Sequence, residues 1–304
     1  MSTFAGTFVH LNGRLLAGSQ ARISVFDRGL LYGDGLFETL RAYNGEPFAL
    51  SEHLSRLRTS ASFLRIRLPR QSWRQDIAAL LRRNRLDDTD AWVRITLTRG
   101  AARPRLTPPT GMRPTVMLTT GAIDPAIARA QRRGVGVVLL PFARDRFLAE
   151  HKVLGYLPAV LGKSIAARRN AFEGLFVDTD GMLTEGTTSN IFVVRNASLL
   201  TAPAQGLLPG VTRRLIVAAA AANGLRVMEQ PLRPDDLRQA DEAFLTSSLA
   251  EVIPITVVDA HAVGTGGVGP WTRRMQHAYR ELVAQALPPS TQSSRHVSRP
   301  VALR

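Results

Sequence analysis

Two Asn-Gly dipeptides, Asn12-Gly13 and Asn44-Gly45, each sit between short runs of strand-forming residues. A type I′ turn needs positive φ at both central residues, which Asn and Gly tolerate, so each pair predicts a tight β-hairpin. The first joins Phe8–Leu11 to Arg14–Leu16, and the second joins Leu36–Ala42 to Pro47–Ala49. Helical patterns are interspersed. One runs from an N-cap at Ser51, with Glu52 in its first turn, to about Phe63, and another from about Gln71 to Asn84. Strands at Ala91–Thr98 and Thr115–Thr119 flank a Pro-, Gly- and Arg-rich loop from Gly100 to Pro114.

After residues 120–125, which read as a linker, the pattern resumes with a strand at Val135–Leu140 and a helix at Leu157–Asn170. A hairpin from Gly174–Asp178 turns at Thr179-Asp180-Gly181 and returns towards Val194, with Leu199–Thr201 extending the sheet. A helix at Val211–Ala222 stops before Gly224, and strands follow at Arg226–Glu229, Ala243–Thr246 and Ile255–Val258. Pro270 opens a last amphipathic helix to Ala286. Hairpins mixed with helices predict an α+β (mixed α/β) chain of two domains, 1–119 and 126–287. The polar, basic tail 288–304 is expected to be disordered.

Composition removes whole classes of chemistry. There is no cysteine, which excludes disulfides, iron–sulfur ligation and thiol catalysis, and the six histidines show no metal-ligand spacing. No apolar run is long enough to cross a bilayer and no secretory leader is evident, so a cytoplasmic enzyme is expected. The net charge of +15 invites a nucleic-acid reading, but the basic residues are dispersed with no aromatic-interleaved stripe, and no specific nucleic-acid partner is expected. Of 39 basic residues only Lys152 and Lys163 are lysines. Chemistry that needs a side-chain amine therefore has two candidates.

Gly264, Gly266 and Gly269 satisfy G-x-G-x-x-G, but they lie too near the end for a βαβ unit to follow. Leu161-Gly162-Lys163-Ser164 resembles the end of a phosphate loop, yet position 157 is leucine and Lys163 falls within a helix pattern, as a solvated residue. Lys152 lies at a strand-to-helix junction. Arginine fills nearly every other basic position, so a lysine here points to what arginine cannot do: lose its proton and attack a carbonyl. Glu185, in a hairpin strand among small hydroxyl residues, could hold a protonated ring nitrogen. Gly210-Val211-Thr212 opens a helix and offers an anion site, and Thr246-Ser247-Ser248 adds donors. An amine, a carboxylate and a phosphate cradle are the parts that pyridoxal 5′-phosphate requires.

These residues resemble the class IV (fold type IV) pyridoxal-phosphate enzymes, which include branched-chain and D-amino acid aminotransferases and 4-amino-4-deoxychorismate lyases. The resemblance rests on Phe26-Asp27-Arg28-Gly29, Tyr32 to Glu38, Glu52 to Leu57, Lys152 with Tyr156-Leu157, Thr184 to Phe192, Leu208 to Thr212 and Ala250 to Pro254, in family order. It implies a two-domain, D-amino acid aminotransferase-like fold. It implies that Lys152 forms the Schiff base and moves protons, and that Glu185 binds the pyridine nitrogen. Arg56, Val211, Thr212, Ser247 and Ser248 would bind phosphate, and Tyr156 would lie near the phenolic oxygen. Gly155 departs from the asparagine common before that tyrosine. The implied activity is amino transfer between a small amino acid, of D- or branched-chain type, and a 2-oxo acid; the alternative is a lyase releasing pyruvate and 4-aminobenzoate. Tyr32, Arg41, Arg99, Arg103 and Arg105 are the candidate substrate contacts. A homodimer, with Tyr32–Gly35 at its contact, is implied as well.

Overall fold

A computed structural model describes residues 7–287; the tail from Pro288 lies outside the described residues. The first unit runs β1 (Phe8–Leu11), β2 (Arg14–Ala17), α1 (Arg28–Tyr32), β3 (Gly35–Tyr43), β4 (Glu46–Pro47), α2 (Leu50–Phe63), α3 (Trp73–Arg83), β5 (Ala91–Thr98) and β6 (Thr115–Ala122). Its strands form a six-stranded sheet in the order β2-β1-β6-β5-β3-β4, antiparallel throughout. Asn12-Gly13 and Asn44-Gly45 are the two hairpin turns, with positive φ at all four residues. Strand alternation decides the faces. Leu36, Leu40, Val93, Ile95 and Leu97 pack with Leu54, Leu57, Ile77 and Leu80 of the two long helices in one core. The intervening Phe37, Thr39 and Arg94 turn to the opposite face, towards the second unit.

The second unit runs α4 (Pro125–Arg133), β7 (Val135–Leu139), α5 (Arg146–Ala149), α6 (Leu157–Arg168), β8 (Glu173–Val177), β9 (Leu183–Gly186), β10 (Asn190–Arg195), β11 (Ser198–Thr201), α7 (Val211–Ala222), β12 (Arg226–Glu229), α8 (Pro234–Arg238), β13 (Glu242–Ser247), β14 (Glu251–Val258), β15 (His261–Ala262) and α9 (Pro270–Ala286). Its sheet follows β12-β11-β10-β13-β14-β7-β8-β9, with β15 beside β14. It is mixed: β11/β12, β14/β7 and β7/β8 are parallel. Separate apolar clusters form its cores, and one reaches across to Tyr43 and Phe48 of the first unit.

Several local expectations change. The first long helix starts at Leu50 after Ala49 at φ 52, and Ser51 bonds to Glu52 rather than capping. The second hairpin's return strand is only Glu46–Pro47. The expected linker is partly strand, since β6 continues to Ala122 and Asp124 caps α4. The return strand to Val194 breaks into β9 and β10, because Thr187, Thr188 and Ser189 turn aside to donate to the buried Glu173 carboxylate. Lys163 is not simply solvated: it donates to the Phe172 carbonyl at 2.8 Å and pairs with Glu173 at 3.1 Å.

Candidate active site

Lys152 lies between α5 and α6 on a segment stitched to the other unit. The amide of Phe37 donates to the Lys152 carbonyl, and the amide of Leu154 donates to the Gly35 carbonyl, both at 2.9 Å. β4 pairs only with the far end of β3, at Ala42 and Tyr43, which leaves this part of the strand free to receive the segment. The Lys152 ammonium nitrogen lies 4.6 Å from the Phe37 ring centre and 5.6 Å from that of Tyr156. Burial disfavours its charged form, and Arg56 adds to that effect; together they lower its pKa to about 7. An amine neutral near physiological pH is a nucleophile.

The lysine faces a cavity of about 390 Å³ between the two units. Arg56, Tyr156, Glu185, Val211, Thr212, Ser247 and Ser248 also line it, so every residue matched to cofactor binding by resemblance meets here. A wider groove of about 850 Å³, bounded by Trp73 of α3 and Leu282 of α9, contains none of them.

Glu185, at the end of β9, is buried. Its carboxylate pairs with Arg144 and accepts from the Leu208 amide at 3.2 Å. Burial raises its pKa, and Arg144 opposes that rise. Tyr156 precedes α6 and is also pushed up, to about 12, chiefly by burial. A third cluster is suited to an anion. α7 starts after Gly210 with no side-chain cap, so its first-turn amides face the cavity end with the helix dipole behind them. Thr212 Oγ1 and Thr246 Oγ1 are buried there without a hydrogen-bond partner. A buried hydroxyl left unpaired is costly, and a phosphate would satisfy both. Gly210 is required by space: a Cβ there would stand 2.1 Å from Asn190 Oδ1.

The family model for class IV amino-transferases matches residues 35–258, a span holding all of these residues. The chain belongs to this family. The aminotransferase is 34% identical over 278 residues to a D-alanine aminotransferase of Bacillus licheniformis, covering 90% of this chain and 96% of the relative. Its fold matches the branched-chain amino acid aminotransferase of Escherichia coli with TM-score 0.83 and 30% identity, over 91% of this chain and 94% of that one. It also matches the 4-amino-4-deoxychorismate lyase of Pseudomonas aeruginosa with TM-score 0.79 and 30% identity, over 90% and 98%.

None of the residues expected to touch substrate lines the cavity. Arg41 pairs with Asp90 at 2.5 Å and Glu251 at 3.0 Å. Arg99 pairs with Asp34 at 2.8 Å and caps the carbonyls of Leu64 and Arg65. Arg103 and Arg105 lie exposed on the loop before β6, and Tyr32 lies on the surface against Arg28. The cavity instead holds Arg94 and Arg144, which sequence reasoning missed. Arg94 has a readable signal: it alternates with the core residues Val93 and Ile95 and so belongs to the opposite face. Arg144 follows β7 in irregular chain and has none.

Proposed function

We propose that this aminotransferase uses pyridoxal 5′-phosphate, held on Lys152, to move an amino group between a small amino acid of D-alanine or branched-chain type and a 2-oxo acid. The observation that carries this reading is a lysine with its pKa lowered to about 7 in a cavity that also holds a buried carboxylate and an uncapped helix start. Arg56, Val211, Thr212, Ser247 and Ser248 take the phosphate. Glu185, paired with Arg144, holds the proton on the pyridine nitrogen. Bound cofactor supplies an electron sink for charge developing at the substrate Cα. The Lys152 amine would be the base that moves the proton at that carbon.

Arg94 receives the substrate carboxylate. It lines the cavity over the Phe37 ring, 3.7 Å from its centre, and among the described residues no carboxylate pairs with it. Burial lowers its pKa, the cost of a guanidinium waiting for an anion. The chain acts as a homodimer. Exposed Leu30 and Leu31 of α1, Phe147 of α5, and Leu157, Val160 and Leu161 of α6 offer the apolar surface for it. Light scattering showing an active monomer would contradict that.

The deciding experiment gives the protein one amino acid at a time without an acceptor. D-alanine or a branched-chain amino acid should yield its 2-oxo acid and one equivalent of pyridoxamine 5′-phosphate. If none does so while aminodeoxychorismate is cleaved to 4-aminobenzoate, the lyase reading replaces this one.

A further inference from the structure

Glu38 breaks the pattern of its strand. Leu36, Leu40 and Ala42 place apolar side chains in the core under α2, and the position among them carries a carboxylate only 1% exposed. A buried carboxylate must be paired, and both oxygens are committed. Oε1 accepts from Arg56 Nε at 2.8 Å, and Oε2 accepts from Arg56 Nη2 at 2.7 Å. Oε2 also meets His53 Nδ1 at 2.8 Å. Burial opposes ionisation of Glu38, but Arg56 and His53 outweigh it and hold the carboxyl at about 2.

Each partner leads to the phosphate end of the cavity by a different route. Arg56 also donates from Nη1 to the Pro209 carbonyl at 2.8 Å, next to the Gly210 that precedes α7, and two of its five N–H groups remain for a phosphate. His53 is driven towards its neutral form by burial, which Arg56 and Lys152 reinforce against Glu38. A neutral ring facing a carboxylate through Nδ1 carries its proton on Nδ1. Nε2 is then an acceptor, and it stands 3.3 Å from Ser248 Oγ. One carboxylate thus fixes a guanidinium on one wall, while the Ser248 hydroxyl on another spends its proton on His53 Nε2. The walls come from α2, the turn after β13 and the loop before α7, which are far apart in sequence.

We propose that Glu38 is a positioning residue for phosphate recognition, acting on the Arg56 guanidinium. This rests on the pyridoxal-phosphate reading above. A fixed fork loses less freedom on binding than a loose one, so the benefit belongs to the phosphate and not to the pyridine ring.

The test compares pyridoxal 5′-phosphate with pyridoxal, which lacks the phosphate, by the visible absorbance each gives on capture. Glu38→Gln keeps the size but removes the charge and one of the two acceptor oxygens that hold the Arg56 fork. Affinity for pyridoxal 5′-phosphate is expected to fall about 10- to 100-fold, the scale of a charged hydrogen bond, with affinity for pyridoxal unchanged. Equal losses for both ligands, or none, would overturn the proposal. Arg56→Lys gives a second reading that leaves Glu38 facing a cation. It should show the same phosphate-selective loss, because a lysine cannot hold the planar fork, and adding Glu38→Gln to it should cost little further phosphate affinity. Additive losses would overturn the positioning role. A parent protein that binds the two ligands equally, or neither, would remove the cofactor reading itself and this proposal with it.

Discussion

The amide of Phe37 donates to the carbonyl of Lys152 at 2.9 Å. The bond joins a strand of the first sheet to the segment that carries the reactive amine in the second unit. With the Leu154 amide on the Gly35 carbonyl, it makes residues 152–154 a short extra partner of β3. The amine is therefore aimed by a sheet and not by a loop alone, which is how a cleft between two units can hold a side chain in one place.

Gly35 makes that approach possible. A Cβ there would stand 2.5 Å from the Leu97 carbonyl oxygen and 2.7 Å from a Leu154 methyl. Gly35→Val should push the lysine segment off β3. Thermal unfolding should report a loss of about 1–3 kcal/mol, the usual cost of overpacking. Capture of pyridoxal 5′-phosphate by the apoprotein should slow in parallel. A variant that captures it at the parent rate would show that the stitch does not aim the amine.

Capture should also follow the ionisation of Lys152. The neutral amine attacks, and its pKa is lowered to about 7 from an ordinary 10.5. The capture rate should rise about tenfold per unit up to about pH 7 and level off above it. A rate still climbing at pH 9 would contradict a lowered pKa. The same shift has a stability sign. Between about 7 and 10.5 the unfolded chain binds more protons than the folded one, so this group's burden is greatest below pH 7 and is relieved as pH rises towards 10.5.

Arg56 and Glu38 depend on each other. Arg56→Ala should weaken pyridoxal 5′-phosphate by about 1–3 kcal/mol through the lost phosphate contact. It also leaves Glu38 charged, buried and held only by His53, which should cost about 3–5 kcal/mol of stability in urea unfolding. The double variant Arg56→Ala/Glu38→Gln should be more stable than Arg56→Ala alone. Were it less stable, the two residues would not form the coupled pair described.

Much of this architecture was readable in the sequence. The Asn-Gly hairpins, Ala91–Thr98, Val211–Ala222 and Pro270–Ala286 follow from turn chemistry, alternation and capping, which act over a few residues. The short helices α5 and α8 were missed because four or five residues make too little periodicity to notice. α4 was missed although Asp124-Pro125 is a good start signal, because residues 120–125 were read as linker. Lys152 and Glu185 stood out by residue type against their surroundings. The arginines did not, for there are too many of them. Arg41 and Arg99 are drawn into ion pairs with Asp90, Glu251 and Asp34, partners up to about two hundred residues away in the chain, which no local pattern announces. Glu38 carried a signal that went unused: a carboxylate at a core position of an alternating strand.

Arg94 should govern substrate affinity and leave the cofactor alone. Arg94→Met is expected to raise KM for amino donor and 2-oxo acid about 10- to 100-fold, the loss of one charged contact. Affinity for pyridoxal 5′-phosphate should stay at the parent value. Unchanged KM for both substrates would move the carboxylate site elsewhere in the cavity.

The central claim is that Lys152 is the amine that holds the cofactor, and there is one other lysine in the chain. That one, Lys163, is engaged with Glu173 and the Phe172 carbonyl. Borohydride reduction of the holoprotein followed by peptide mass spectrometry separates them in one measurement. The reduced phosphopyridoxyl group is expected on Lys152 alone, with none formed in Lys152→Ala. The same mass found on Lys163, or an unmodified Lys152 in active protein, would contradict the account.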